Sequence, residues 1–211
     1  MPTVEQAQAW YPVDDPVHGF DHVLRVMATA ERLARAIGAD LEIVRAAALL
    51  HDAAGAAPGD DGQRAEHEMA SAEFARQILT AEGWPAERIH AVQACIRSHR
   101  YRSQQSPQSP EAKALFDADK LDVVGAFGIA RTLGYAQQAG QPAYFPPSNR
   151  FLASGEREPG EPHSAYHEYL FKLRRVADRL QTEPARLMAE ARMPLLKTFF
   201  EQLAAEASGR L

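Results

Sequence analysis

A single cysteine, Cys95, in 211 residues leaves no partner for an internal disulfide and no basis for a thiolate metal site. No stretch approaches 18 consecutive apolar residues, so a transmembrane helix is not expected. Basic charge is in deficit: the net charge of −5 offers no field for a nucleic-acid polymer or an anionic membrane. The opening MPTVEQAQAWYPVDDP has neither a basic n-region nor an apolar core. No secretory signal is therefore expected, and the reducing cytoplasm is the expected location. There is no G-x-S-x-G elbow for a serine hydrolase, no GxxxxGK[ST] phosphate loop and no GxGxxG. No run shows sustained period-2 alternation, and neither internal repeats nor heptads occur.

What is present is helical period. The composition, 45% hydrophobic and 24% charged, is that of an ordinary globular chain of one-domain length. Val23, Val26, Ala30, Leu33 and Ile37 mark a first helix over 21–37, stopped by Gly38. Further helices are expected over 41–54, 66–82, 87–100, 110 to about 139 with a bend, 165–180 and 184–206. Ser109-Pro110-Glu111 is a helix-start signal, and Thr182 is placed to cap the last helix. Residues 140–163 hold five of the 14 prolines and read as a long irregular loop. The expectation is an all-α fold of six or seven helices in one domain spanning 1–211. Its core would be 18–140, with C-terminal helices 165–206 packed on it. Leu195, Leu196, Phe199, Phe200 and Leu203 would lie in that core, with a homodimer surface as the other use of the same face.

The segment RAAALLHDAAG at 45–55 drives five apolar residues into a histidine and an aspartate. Chance alone gives about 0.4 His-Asp pairs at this composition, so the dipeptide by itself is weak. Helical spacing adds weight. His22, His51, His67 and His99 each share a face with apolar residues at i±3, i±4 or i±7, whereas His90 shares its face with Gln93 and Arg97. In ALFDADKLD (114–122), Asp119 aligns with Leu115, Phe116 and Val123 on a buried stripe, and Asp122 shares its flank. Asp117 aligns with Lys113 and Lys120 and is expected to be more exposed. One such histidine is ordinarily a hydrogen-bonded core residue. Four of them with buried carboxylates, and too few cations on those faces to neutralise the acids, point to a divalent ion such as Mn, Fe, Mg, Zn, Co or Ni. His51 and Asp52 would both turn toward it. Cys95 lies among Val92 and Ile96 and reads as an inert core thiol.

HGFDHVLRV (18–26), ALLHD (48–52) and LFDADKLD (115–122), in that order, resemble the HD-domain superfamily of metal-dependent phosphohydrolases. The likeness is nearest to the small stand-alone bacterial hydrolases of the YedJ/YpgQ type. It extends through His67, Ser71 and Ala72, through IRSHR (96–100) and through GIAR (128–131). The resemblance implies an all-α fold around a metal held by His22, His51, Asp52 and Asp119. It also implies hydrolysis of a phosphoester or phosphoanhydride bond, with a nucleotide such as a (deoxy)nucleoside phosphate as the commonest substrate class. His67 and His99 would bind a second ion or else orient the substrate. Asp52 or Asp122 would take the proton of the attacking water. Arg25, Lys120 and Arg100 would neutralise phosphate charge. His18 would stand near the entrance. Two other readings fit the same residues. One is an oxygenase with a di-iron HD-type site, which needs six ligands. The other is a non-catalytic sensor or scaffold stabilised by its metal, which needs a closed coordination sphere.

Overall fold

The computed structural model describes residues 1–11, 19–54, 67–100 and 105–211, and among them every regular element is helical. Ten α-helices occur among the described residues: α1 Val4–Gln8, α2 Phe20–Ile37, α3 Leu41–Leu50, α4 His67–Ala81, α5 Ala86–Ser98, α6 Pro110–Leu121, α7 Gly125–Gln138, α8 Asn149–Ser154, α9 Ala165–Phe171 and α10 Glu183–Ala207. A 3₁₀ segment, Leu173–Arg179, follows α9. No described helix is long and apolar enough to cross a membrane.

The all-α expectation holds, and the helix count is higher than six or seven for local reasons. α1 is short but has a capping box: Thr3 Oγ1 accepts from Gln6 N while Gln6 Oε1 accepts from Thr3 N. The expected bent helix over 110–139 is two helices. Ser109 starts α6 as expected, its hydroxyl accepting from Ala112 N. α6 ends at Leu121, and the chain restarts at Gly125, whose φ of 72° lies in the left-handed region. A Cβ at Gly125 would stand 3.1 Å from the Arg192 side chain, which itself donates to Leu121 O at 2.7 Å. Lys172, at φ −116°, separates α9 from the 3₁₀ segment, so the expected helix over 165–180 is also split. The loop expected over 140–163 contains α8, capped by Ser148 at its start and by Gly155 in the left-handed region at its end.

The chain forms two compact units, Met1–Lys120 with Gln181–Ala185, and Leu121–Leu180 with Arg186–Leu211. In the first unit α3 is the central element. Val44, Ala47, Ala48, Leu49 and Leu50 have no exposed surface, and α3 packs against α1, α2, α4 and α5. Burying each Leu or Val side chain contributes about 1.5–3 kcal/mol, which fixes α3 where its C-terminal residues point inward. Tyr11, buried with Ala7, Val23 and Leu49, donates its hydroxyl to Leu49 O at 3.0 Å, two residues before the His51-Asp52 pair.

Asp117 is fully buried, not exposed. Its carboxylate accepts from Gln181 N at 2.7 Å, Thr182 N at 2.8 Å and Thr182 Oγ1 at 2.7 Å, just before α10. The hydroxyl expected to cap α10 is therefore a donor to Asp117. In the second unit Tyr169 stacks on the fully buried Phe200 at 4.7 Å, and Leu196, Leu173 and Val176 join that core. Leu195 is 53% exposed and faces away from it.

Cys95 is a core thiol with no exposed surface, and burial pushes its pKa up to about 12. A thiol reagent added to the native protein is expected to leave it unmodified at neutral pH and to label it stoichiometrically only after denaturation. Stoichiometric labelling of the folded chain would contradict that placement.

Candidate metal centre

Six ligand-type side chains converge in the first unit from five helices. His22 lies near the start of α2, His51 and Asp52 directly beyond α3, His67 at the first residue of α4, His99 directly beyond α5, and Asp119 near the end of α6. His51 and His99 are both C-cap residues. The last carbonyls of a helix have no intrahelical partner, and each ring turns back onto one of them. His51 Nδ1 lies 2.8 Å from Ala48 O and His99 Nδ1 lies 2.6 Å from Ile96 O. That contact places the proton on Nδ1 and leaves Nε2 as a lone-pair donor aimed into the cluster.

Asp52 sits between two histidine pairs. Its Oδ2 is 3.4 Å from His51 Nε2 and 4.0 Å from His22 Nε2, and its Oδ1 is 3.3 Å from His67 Nε2 and 3.4 Å from His99 Nε2. Asp119 Oδ1 extends the first group, 3.5 Å from His22 Nε2. The ligand atoms of His22, His51 and Asp52 lie within 4.8 Å of one another, and so do those of Asp52, His67 and His99. Each carboxylate oxygen of Asp52 therefore faces its own imidazole pair.

The chemistry of the set fits divalent ions. His22, His51 and His99 are at most 2% exposed, and His67 is half-buried. Two buried atoms, His51 Nε2 and Asp52 Oδ1, have no hydrogen-bond partner within the protein. Leaving such groups unsatisfied costs about 1–3 kcal/mol each, a cost that coordination removes. Burial is the main influence on His51. With its neighbours His99 and His22, and against the pull of Asp52, it lowers the imidazole pKa to about 4, which keeps the ring neutral and able to ligate. Burial also opposes ionisation of Asp52 and Asp119. His51, His67 and His99 outweigh it at Asp52, and Lys120 and His22 at Asp119, so both carboxyls stay well below the usual range.

The surrounding residues fall into place around this cluster. Ser71, a buried residue of α4, accepts from Ala54 N at 3.2 Å and ties the turn after Asp52 to that helix. Lys120 is buried, donates to Asp119 Oδ2 at 2.5 Å and lies over the Phe116 ring. One of the two acids thus has a cation. Arg25 is paired with the exposed Asp21 at 2.5 Å, and Arg100 with Glu68 at 3.3 Å. Asp122 lies beyond the end of α6, so the helical flank it was expected to share with Asp119 does not extend to it. It belongs to the second unit and accepts from Arg131 at 2.8 Å. His90 is exposed, as expected, and His18 lies outside the described residues. Tyr11 and Glu68 are the supporting residues that sequence reasoning missed. Neither has a motif, because each acts across the fold.

A second constellation looks like nucleophile chemistry and is not. In the second unit Ser164 Oγ stands 2.6 Å from His167 Nδ1, and His167 Nε2 stands 3.0 Å from Glu161 Oε1. Ser164 has no exposed surface, and its hydroxyl accepts from His167 N as the cap of α9. Glu161 also accepts from Ser148 N, Ser148 Oγ and Glu158 N. The row ties together the segment around α8, with no reachable nucleophile.

A family model described as the HD domain matches residues 19–124. YpgQ of Bacillus subtilis is 31% identical over 194 residues, which is 91% of this chain and 85% of that protein. The crystal structure of B. subtilis YpgQ in complex with ADP superposes with a TM-score of 0.73 at 28% identity, covering 97% of each chain. A HD-superfamily hydrolase from Bacillus thuringiensis gives a TM-score of 0.69 at 25% identity, covering 97% of this chain and 94% of that one.

Proposed function

The chain belongs to the HD domain family, and from that premise we propose that it is a metal-dependent phosphohydrolase acting on a nucleotide, with His22, His51, Asp52 and Asp119 holding one divalent ion and Asp52, His67 and His99 a second. The observation that carries this reading is Asp52, whose two oxygens face separate histidine pairs. The ADP bound in the crystal of YpgQ supports a nucleotide as the substrate class.

When bound, the ions supply Lewis acidity toward a phosphoryl oxygen and lower the pKa of coordinated water. The protein's own groups do the rest. The carbonyls of Ala48 and Ile96 fix the tautomers of His51 and His99, so both rings present Nε2 without rearrangement. Asp52, held ionised, is an acceptor for the water proton. Lys120 balances Asp119, so the cluster does not carry two uncompensated carboxylates. Arg25, one helical turn from His22 and ion-paired with the 66% exposed Asp21, supplies positive charge toward substrate phosphate.

Metal-stripped protein given Mn²⁺ and a panel of ribo- and deoxynucleotides is expected to cleave at least one of them, and chromatography separates phosphate from pyrophosphate release. Without added metal no cleavage is expected. Failure with every divalent ion tried would overturn the reading. The same six side chains meet the ligand requirement of a di-iron oxygenase, so oxygen consumption with Fe²⁺ is measured alongside. Consumption without nucleotide cleavage would put the oxygenase first.

A further inference from the structure

We propose that the Glu68–Arg100 ion pair is a positioning clamp for the second half-site, setting the separation of His67 and His99 at Asp52 Oδ1. The proposal rests on the two-ion reading above. Each member of the pair is the residue directly after a ligand: Glu68 follows His67 at the start of α4, and Arg100 follows His99 at the end of α5. Glu68 Oε2 is 3.3 Å from Arg100 Nη1 and 3.6 Å from His67 Nδ1, so a single carboxylate oxygen lies between the guanidinium and the far side of the ligand ring.

The geometry separates this pair from an ordinary surface bridge. Glu68 is only 12% exposed, and the two segments it joins are 32 residues apart in sequence. The two rings it flanks lie 5.7 Å apart, centroid to centroid, and both Nε2 atoms reach the same oxygen of Asp52. His51 and His99 have their rings fixed by their own helix carbonyls. At His67 a carboxylate faces Nδ1, with Glu68 Oε2 at 3.6 Å. A carboxylate there favours the proton on Nδ1 and the lone pair on Nε2, the form a metal requires. Arg100 holds that carboxylate in place. This assigns Arg100 to the scaffold of the centre, where sequence reasoning had placed it on the substrate.

The test is calorimetric titration of Mn²⁺ into metal-stripped protein, with electron paramagnetic resonance of the loaded forms, on the parent, Glu68→Gln, Arg100→Gln and Arg100→Lys. The parent is expected to bind two ions and to give a spin-coupled spectrum. Glu68→Gln and Arg100→Gln should each keep the first ion at parent affinity, weaken the second about 10–100-fold and lose the coupled signal. Arg100→Lys, which keeps the cation, should restore most of the second-ion affinity. If both glutamine variants bind two ions as tightly as the parent, or weaken both ions equally, the clamp is wrong. A parent that binds one ion overturns the clamp and the two-ion reading together. Because no activity enters the readout, these results stand apart from the identity of the substrate.

Discussion

Asp52→Ala is expected to lower metal-dependent nucleotide hydrolysis by at least about 10³-fold and to remove tight binding of both ions. Asp52 is the only residue common to the two ligand groups, with one oxygen facing His22 and His51 and the other facing His67 and His99. Losing an ion's contribution to the transition state amounts to several kcal/mol, which is the origin of the factor. Stability of the metal-free protein should fall modestly. The substitution removes the carboxylate's contacts with His51, His67 and His99, the same attractions that hold its carboxyl well below the usual range, and so removes the stability they contribute at neutral pH. Titration calorimetry, the nucleotide assay and a thermal melt on the same preparation check all three. A variant that still hydrolyses within tenfold of the parent would remove Asp52 from the mechanism.

Asp117→Ala should do the reverse, costing stability while leaving all six ligands in place. Its fully buried carboxylate receives the Gln181 and Thr182 backbone N–H groups and the Thr182 hydroxyl, the Thr182 donors being buried and the Gln181 bond partly buried. Alanine strands the two Thr182 donors and weakens the hold on Gln181, at about 3–5 kcal/mol in total. For a chain of this size the melting temperature should fall by about 10 °C. Asp117→Asn, which keeps one acceptor oxygen, should lose roughly half as much. A melting temperature for Asp117→Ala within about 2 °C of the parent would contradict the burial and bonding described for it.

The contrast between these two aspartates shows where the sequence was legible and where it was not. The four inward histidines were readable because each lies on or beside a helix whose apolar period is unbroken, as with Val23, Val26, Ala30 and Leu33 around His22. Asp117 was misread because lysines on its face suggested solvent. Lys120 is itself buried against Asp119 and Phe116, so its charge was no sign of exposure. The partners of Asp117 lie 64 and 65 residues further on, beyond the reach of any local pattern. Asp122 was placed by extending a helix that stops one residue earlier. The break there depends on a left-handed glycine and on Arg192, about 70 residues away, bonding Leu121 O. The tautomer-fixing carbonyls at Ala48 and Ile96 became visible only once both helices were seen to end just before a histidine. Short elements such as α1 and α8 carried cap signals in Thr3, Gln6, Ser148 and Gly155, but few residues to show a period.

The most direct measurement is mass spectrometry of the products formed in ¹⁸O-labelled water by metal-stripped protein reloaded with Mn²⁺, using the nucleotide cleaved fastest in the panel. Attack of water on phosphorus predicts one ¹⁸O atom on a phosphorus of one of the two products, formed only when metal is present and absent with Asp52→Ala. No ¹⁸O on phosphorus in either product, or equal turnover after the metal has been stripped, would contradict the account at its centre.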